Sequence, residues 1–346
     1  MKAKLMATAL AALLIGLPRL PALAQTSANL LEAPRANGQP VVVDVAMHIM
    51  NLYDIDEVAQ RFKLVCYLFA QWHDPRLAFT PRDANDRLRV MQPGTIWQPR
   101  FEFVNATVPH ASYDTALLVT PDGTVKYTER VSASLSSDFQ LRHFPFDRQR
   151  LSIFVHPFVD QAHLVVFRDD DPATSITTEE RLYSGLAQWD VLGISAHTTM
   201  VPVTRGRRIA EIRFNILVKR RYPFYLYKVF LPLVLMVALS WTVFWVDPAD
   251  LASQVQISVT TILTVIAFAF AISVNLPKMP YLTYIDAFFL TCYIFVFLTA
   301  VEVTTVHVAG RSHRHGAVTR IRRVSRIVMP ICFVVVNLLV VLQYFK

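Results

Sequence analysis

Apolar and polar residues alternate in short stretches over the first two thirds of the chain and give way to long apolar runs in the last third. The alternation has period two in PVVVDVAMHI (40–49), FKLVCYLFAQW (62–72), TALLVT (115–120) and TVKYTERV (124–131), as in strands that bury one face. Pro121-Asp122-Gly123 reads as the turn between the last two, because Pro presets the turn and Gly tolerates positive φ. Further runs at Leu151 to Val155 and Ile209 to Val218 bring the strand count to that of a sandwich. No segment before Tyr225 reads as a long amphipathic helix.

Four apolar runs then reach membrane-spanning length, at Tyr225 to Val246, Ser253 to Asn275, Thr283 to His307 and Ile327 to Phe345. The second differs from the others. At 100° per residue, Gln256, Thr260, Leu263, Ala267, Phe270 and Val274 fall within about 40° of one line along the helix. The lower part of that stripe is polar and the upper part apolar. A hydrated pore wall explains the pattern, since lipid cannot solvate an amide and a ring of Leu or Phe can shut a narrow tube by dewetting. Polar residues that join helices within a bundle explain it equally well.

The overall hydrophobic fraction, 53%, hides this division into an exported domain and a membrane domain. The first residues carry a basic start, a short apolar run from Leu5 to Leu17 and Ala22-Leu23-Ala24, so residues 1–24 read as a signal peptide. The expected domains are therefore 25–221, exported, and 222–346, in the membrane. Export of the first domain sends the first span inward and leaves the C-terminus outside. The Arg-rich stretch 308–326 is then a short cytoplasmic loop, which obeys the positive-inside rule and accounts for much of the formal charge of +8. So short a basic stretch between two spans gives no reason to expect nucleic-acid binding. Of three cysteines, Cys66 is alone in the exported domain and Cys292 and Cys332 lie in spans, so no disulfide framework is available and buried thiols are expected. The acidic run Asp169-Asp170-Asp171 has no calcium-loop spacing and reads as a solvated turn, so neither metal nor cofactor is expected.

Residues 144–149, Phe-Pro-Phe-Asp-Arg-Gln, resemble the signature loop of the pentameric ligand-gated ion channels, the Cys-loop receptor family. Animal members carry two cysteines separated by thirteen residues, where this chain has Ser137 and Leu151, so it resembles the prokaryotic branch. Other matching motifs follow in family order: Trp72-His73-Asp74-Pro75-Arg76-Leu77, Trp97-Gln98-Pro99 with Phe103-Val104-Asn105, Pro121-Asp122-Gly123, Pro232, Ser240-Trp241 with Phe244-Trp245, and Asn275-Leu276-Pro277. The resemblance spans nearly all of the mature chain. It implies an immunoglobulin-like β-sandwich outside a bacterial inner membrane, a four-helix transmembrane bundle, and assembly as a homopentamer. A ring is also a physical need of the pore reading, because one helix about 10 Å wide cannot enclose water.

By the same resemblance the stripe becomes a pore wall for monovalent ions, with Leu263 and Phe270 as hydrophobic gate and Gln256 and Thr260 as its polar inner part. Cation channels of the family usually carry a Glu just below that end, where this chain has Leu251-Ala252-Ser253-Gln254. Asp247 and Asp250 take its place as candidate carboxylates, with Gln256 beside them, and the Pro-Ala-Arg pattern of anion channels is missing, so cations are expected. Asp250 also suits a helix N-cap. Coupling is implied at Asp56 and Glu57, at Phe144, Pro145, Phe146 and Asp147, at Arg220, and at Pro277, Lys278 and Pro280. Arg220 has the chemistry to pair with Glu57 and Asp147 in a partly buried joint. The agonist is a small molecule or protons. Its implied site, between neighbouring exported domains, draws on Tyr67, His156 and Phe158. The capping stretch Thr198 to Ala210 lacks an aromatic residue but holds Arg205, Arg207 and Arg208, so an aromatic cage for a quaternary amine is incomplete; the arginines suit either a carboxylate-bearing ligand or a solvated hairpin tip, and amines, acids and protons all stay open.

Two other classes compete. A membrane-anchored enzyme finds no HExxH, GxSxG or phosphate-cradling loop in a chain with nine glycines. A non-conducting tethered receptor has no use for a one-sided polar stripe.

Overall fold

The computed structural model describes residues 30–36, 38–83, 85–158, 161–168, 176–178, 186–202, 208–247, 249–274, 279–311 and 315–346. The signal-peptide expectation, the acidic run 169–171, Arg205, Arg207, Pro277 and Lys278 lie outside them.

Among the described residues eleven strands make two sheets: β1 (Val41–Asp56), β2 (Arg61–His73), β3 (Arg89–Met91), β4 (Phe101–Phe103), β5 (Ala111–Val119), β6 (Thr124–Ser136), β7 (Arg148–Pro157), β8 (Val165–Phe167), β9 (Ile176–Thr178), β10 (Trp189–Pro202) and β11 (Arg208–Arg220). One sheet has the order β3-β5-β6-β2-β1-β8, with β9 also on β1; the other has the order β10-β11-β7-β4. Alternation drives the assembly. In β2, Phe62, Leu64, Cys66, Leu68, Ala70 and Trp72 are buried while the residues between them are more exposed. Burial, and then the nearby Glu129 carboxylate, pushes the Cys66 thiol up to about 12, so it stays protonated and behaves as a small hydrophobe.

The motifs that begin at Trp72, Trp97 and Pro121 meet at one end of the sandwich. Trp72 and Trp97 pack edge to face at 5.7 Å, and Asp74 N–H donates to the Gly123 carbonyl at 2.9 Å. Gly123 has φ +85°, and a Cβ there would lie 2.5 Å from the Asp74 carbonyl oxygen. Only glycine closes this turn without displacing backbone.

Four apolar helices follow directly on β11: α1 (Pro223–Trp245), α2 (Leu251–Ser273), α3 (Tyr284–Arg311) and α4 (His315–Phe345). In α1 a π-helical turn at Leu226–Phe230 precedes Pro232. Proline has no N–H to give the turn before it, and the wider turn absorbs that break. The reading of 308–326 as a loop needs correction, since α3 runs to Arg311 and α4 begins at His315. Hydropathy marks where a span turns polar, whereas the hydrogen-bond ladder continues through Arg, Val and Ile without a breaker. Cys292 is buried, but Cys332 is exposed on α4, in line with the apolar side chains this helix turns outward.

Candidate functional site

Two places in the fold collect the expected residues, and the first is the joint between sandwich and helices. Strand β11 alternates inward at every second residue and ends by burying Arg220, 2% exposed, in the last core position above α1. Its Nε donates to Asp147 Oδ1 at 2.8 Å and its Nη2 to Oδ2 at 3.2 Å, while Nη1 lies 2.7 Å from Glu57 Oε1. The guanidinium also stacks on Trp189 at 4.2 Å and Phe144 at 4.7 Å. Burial by itself would lower the pKa of this group; the Asp147 hydrogen bonds and the two carboxylates outweigh it and hold the guanidinium above its ordinary range. Such a pair is secure only while all its members are present.

The rest of the signature loop turns toward the membrane. Phe146 contacts the rings of Tyr222, Phe230, Tyr284 and Phe345, and Phe144 packs edge to face on Tyr225. The Tyr281 hydroxyl accepts from Leu141 N–H at 3.2 Å, and Tyr284 N–H donates to the Arg142 carbonyl at 2.9 Å. Contacts to α1, α3 and the end of α4 thus converge on one loop, and the C-terminal end of α4 lies on the sandwich side. Pro145 is buried within the loop, and Pro280 is exposed beside the α2–α3 connector. Asp56 stands apart from the ion cluster, because its carboxylate accepts from Ala59 N–H at 2.8 Å and shapes the β1–β2 turn.

The second place is α2. Gln256, Thr260, Leu263, Ala267, Phe270 and Val274 are all exposed, while Gln254, Ser258, Thr261 and Val265 on the opposite face are buried. The buried polar groups have local partners. Gln254 reaches the Asp247 carbonyl, Ser258 donates to the Gln254 carbonyl at 3.0 Å and Thr261 to the Ile257 carbonyl at 2.8 Å. Among the described residues the side chains of Gln256 and Thr260 have none. The polar residues thus divide between two faces: Gln254 on the packed face bonds the connector that precedes α2, and Gln256 and Thr260 look away from the bundle. Asp250 is the N-cap of α2, accepting from Ser253 N–H at 3.1 Å. The Ser253 hydroxyl, then its backbone N–H, holds the Asp250 carboxyl below the usual range. Asp247 is exposed nearby and accepts from Ala249 N–H at 2.9 Å.

The agonist candidates do not meet within one chain. Tyr67 is half-buried on the outward face of β2, in one sheet. His156 and Phe158 belong to the other sheet, at and just beyond the end of β7. Phe158 lies under the Arg100 guanidinium at 4.5 Å, and His156 Nε2 sits 2.8 Å from Glu211 Oε2. Arg208 is exposed at the start of β11. Any site using both sheets' outward faces needs two subunits.

Sequence reasoning missed Trp189 and the inner end of the bundle. There Arg326 Nη2 donates to the Phe244 carbonyl at 2.8 Å, and Arg322 Nη1 donates to the Val246 carbonyl. Both satisfy carbonyls freed at the end of α1. The available signal was the spacing of two arginines by one helical turn in a stretch read as loop.

Comparison with known proteins gives two matching families. The neurotransmitter-gated ion-channel ligand binding domain matches residues 23–222, and the neurotransmitter-gated ion-channel transmembrane region matches residues 229–320. A proton-gated ion channel of Gloeobacter violaceus is 30% identical over 314 residues, covering 90% of this chain and 86% of its own length. The gamma-aminobutyric acid receptor subunit beta-4 of Gallus gallus is 27% identical, covering 79% of this chain and 56% of its own. The human gamma-aminobutyric acid receptor subunit rho-3 is 26% identical, over 85% of this chain and 65% of its own length.

Proposed function

The chain belongs to the pentameric neurotransmitter-gated ion-channel family, and on that premise we propose that it forms a homopentameric, cation-selective channel in a bacterial inner membrane. An agonist bound between neighbouring exported domains opens it, and Leu263 and Phe270 close it. One observation carries the reading: the only stripe of α2 whose amide and hydroxyl lack a partner among the described residues lies opposite the face that packs into the bundle. Water in a central pore supplies those partners.

Ion sign follows from the inner mouth. Asp247 and Asp250 expose carboxylates there, and the lowered pKa of Asp250 keeps it ionised to lower pH than an ordinary Asp. Capping α2 and presenting a negative ring are compatible tasks for one carboxylate. The agonist is a small carboxylate-bearing molecule or the proton. Moving the channel from about 1% to 99% open requires about 5.5 kcal/mol of differential binding. Over five equivalent sites that is about 1 kcal/mol each, the net value of one hydrogen bond.

Purified protein in planar bilayers, challenged with acid steps and candidate ligands under asymmetric salt, tests this. Unitary currents reversing near the cation equilibrium potential are expected. Reversal near the chloride potential overturns the sign, and the absence of current under every condition overturns the channel.

A further inference from the structure

The outward face of the four-stranded sheet is hollowed, and the cause is local. Pairing of β10 with β11 slips by one residue between Val191 and Gly193, which leaves Leu192 as a bulge. A bulge bends the strand and increases its twist. Gly193 then adds no side chain, and a Cβ built on it meets nothing within 4 Å. The outcome is a groove of about 740 Å3 across β7, β10 and β11, lined by residues of one chain.

The groove has one sign of charge. Arg150 lies at one end, opposite Leu217, exposed and without a side-chain partner among the described residues. Asn215 forms the floor and is 8% exposed. Its Oδ1 accepts from Ser152 Oγ at 2.8 Å, and its amide N–H groups have no partner among the described residues. Arg213 stands at the other end beside His197, braced over the Phe154 ring at 4.6 Å and donating to Glu211 Oε1 at 3.0 Å. Glu211 does not line the groove; His156 holds its second oxygen at 2.8 Å. Arg213 and Leu217 are four residues apart on one strand, about 13 Å at the strand rise. Arg150, without a side-chain partner among the described residues, and Arg213, shared with Glu211, therefore bracket the Asn215 amide.

We propose that this groove binds a small dicarboxylate, with one carboxylate on Arg150, the other on Arg213, and the Asn215 amide donating between them. The three strands it would bridge all lead to the Arg220 cluster. β7 starts next to Asp147, β10 starts with Trp189 on the Arg220 guanidinium, and β11 ends on Arg220 itself. Occupancy thus stiffens the strand ends that meet α1 and shifts opening. That consequence, unlike the binding, rests on the channel reading.

Titration calorimetry on the purified full-length protein with succinate tests the site. One saturable site per chain is expected, about tenfold weaker in Arg150→Ala and lost in Gly193→Leu, whose side chain enters open space and leaves the melting temperature and assembly size unchanged. Propionate, with one carboxylate, binds at least tenfold more weakly. Absence of saturable heat with succinate, or the same affinity in both variants, overturns the site. Equal affinity for propionate overturns two-ended recognition. Bilayer recordings separate the two levels. Succinate that binds without altering agonist-evoked current overturns the modulation, whereas a protein that never conducts overturns the channel and leaves the calorimetry standing.

Discussion

Charged groups at the joint between sandwich and helices find their partners inside the chain; the polar groups along the outer stripe of α2 find none among the described residues. The Arg220 guanidinium sits 2.7 to 3.2 Å from Asp147 and Glu57, and Arg220 and Asp147 are almost fully buried. The side chains of Gln256 and Thr260 lie on an apolar helix with no hydrogen-bond partner among the described residues. The difference separates two kinds of importance. A matched buried charge is what the fold depends on, because removing one partner strands the others. An unmatched polar group within a membrane helix has to be matched from outside the chain, by water, ions or further copies.

The largest effect should come from breaking the matched region. Arg220→Ala leaves the buried Asp147 carboxylate without its cation and should cost about 3–5 kcal/mol, a large share of the stability of an ordinary domain. Thermal unfolding and gel filtration of the purified protein check this. Arg220→Lys keeps the charge but loses the two-pronged bond to Asp147 and should fall between Ala and the parent. If Arg220→Ala melts within a degree of the parent, the joint is not the structural half of the comparison.

The apolar part of the stripe comes next. Leu263 is 60% exposed in the single chain, so Leu263→Ser should leave folding intact. A polar ring in its place would hold water where leucine expels it, and resting open probability in single-channel records should rise about tenfold, or about 1.4 kcal/mol. An unchanged resting current would move the gate away from this position.

Legibility in the sequence follows the same division. The long strands could be read because burial on one face forces alternation, as in β2 and β6. Strand β10 escaped because the bulge at Leu192 resets its phase, and β3, β8 and β9 are three residues each, too short to show a period. Alternation tells which side of a sheet a residue faces but not which sheet, so only the structure shows that Tyr67 and His156 belong to different ones. Arg220, Asp147 and Glu57 became readable through the signature loop and their opposite charges. Trp189 did not, since its place over Arg220 depends on cross-strand register. The stripe on α2 was legible from helix geometry alone. What geometry left open was which polar residues tie helices together, and only the packed face, with Gln254 and Thr261 on it, could separate them.

The finest test uses two neighbouring threonines that differ in little except the face they occupy. The Thr261 hydroxyl is buried and donates to the Ile257 carbonyl at 2.8 Å, whereas the Thr260 hydroxyl, on the stripe, donates to no described residue. Valine matches threonine in shape and removes only the hydroxyl. Thr260→Val should therefore lower unitary conductance about twofold, because five hydroxyls that would replace part of an ion's hydration are gone, and should leave the melting temperature unchanged. Thr261→Val should do the reverse: conductance as in the parent, and a stability change of about 1 kcal/mol or less from one lost local hydrogen bond. Conductance that falls equally in both variants would mean that α2 is rotated from the orientation the stripe implies. Conductance that falls only for Thr261→Val would place water on the face that packs against the bundle, and the polar stripe would be left without a role.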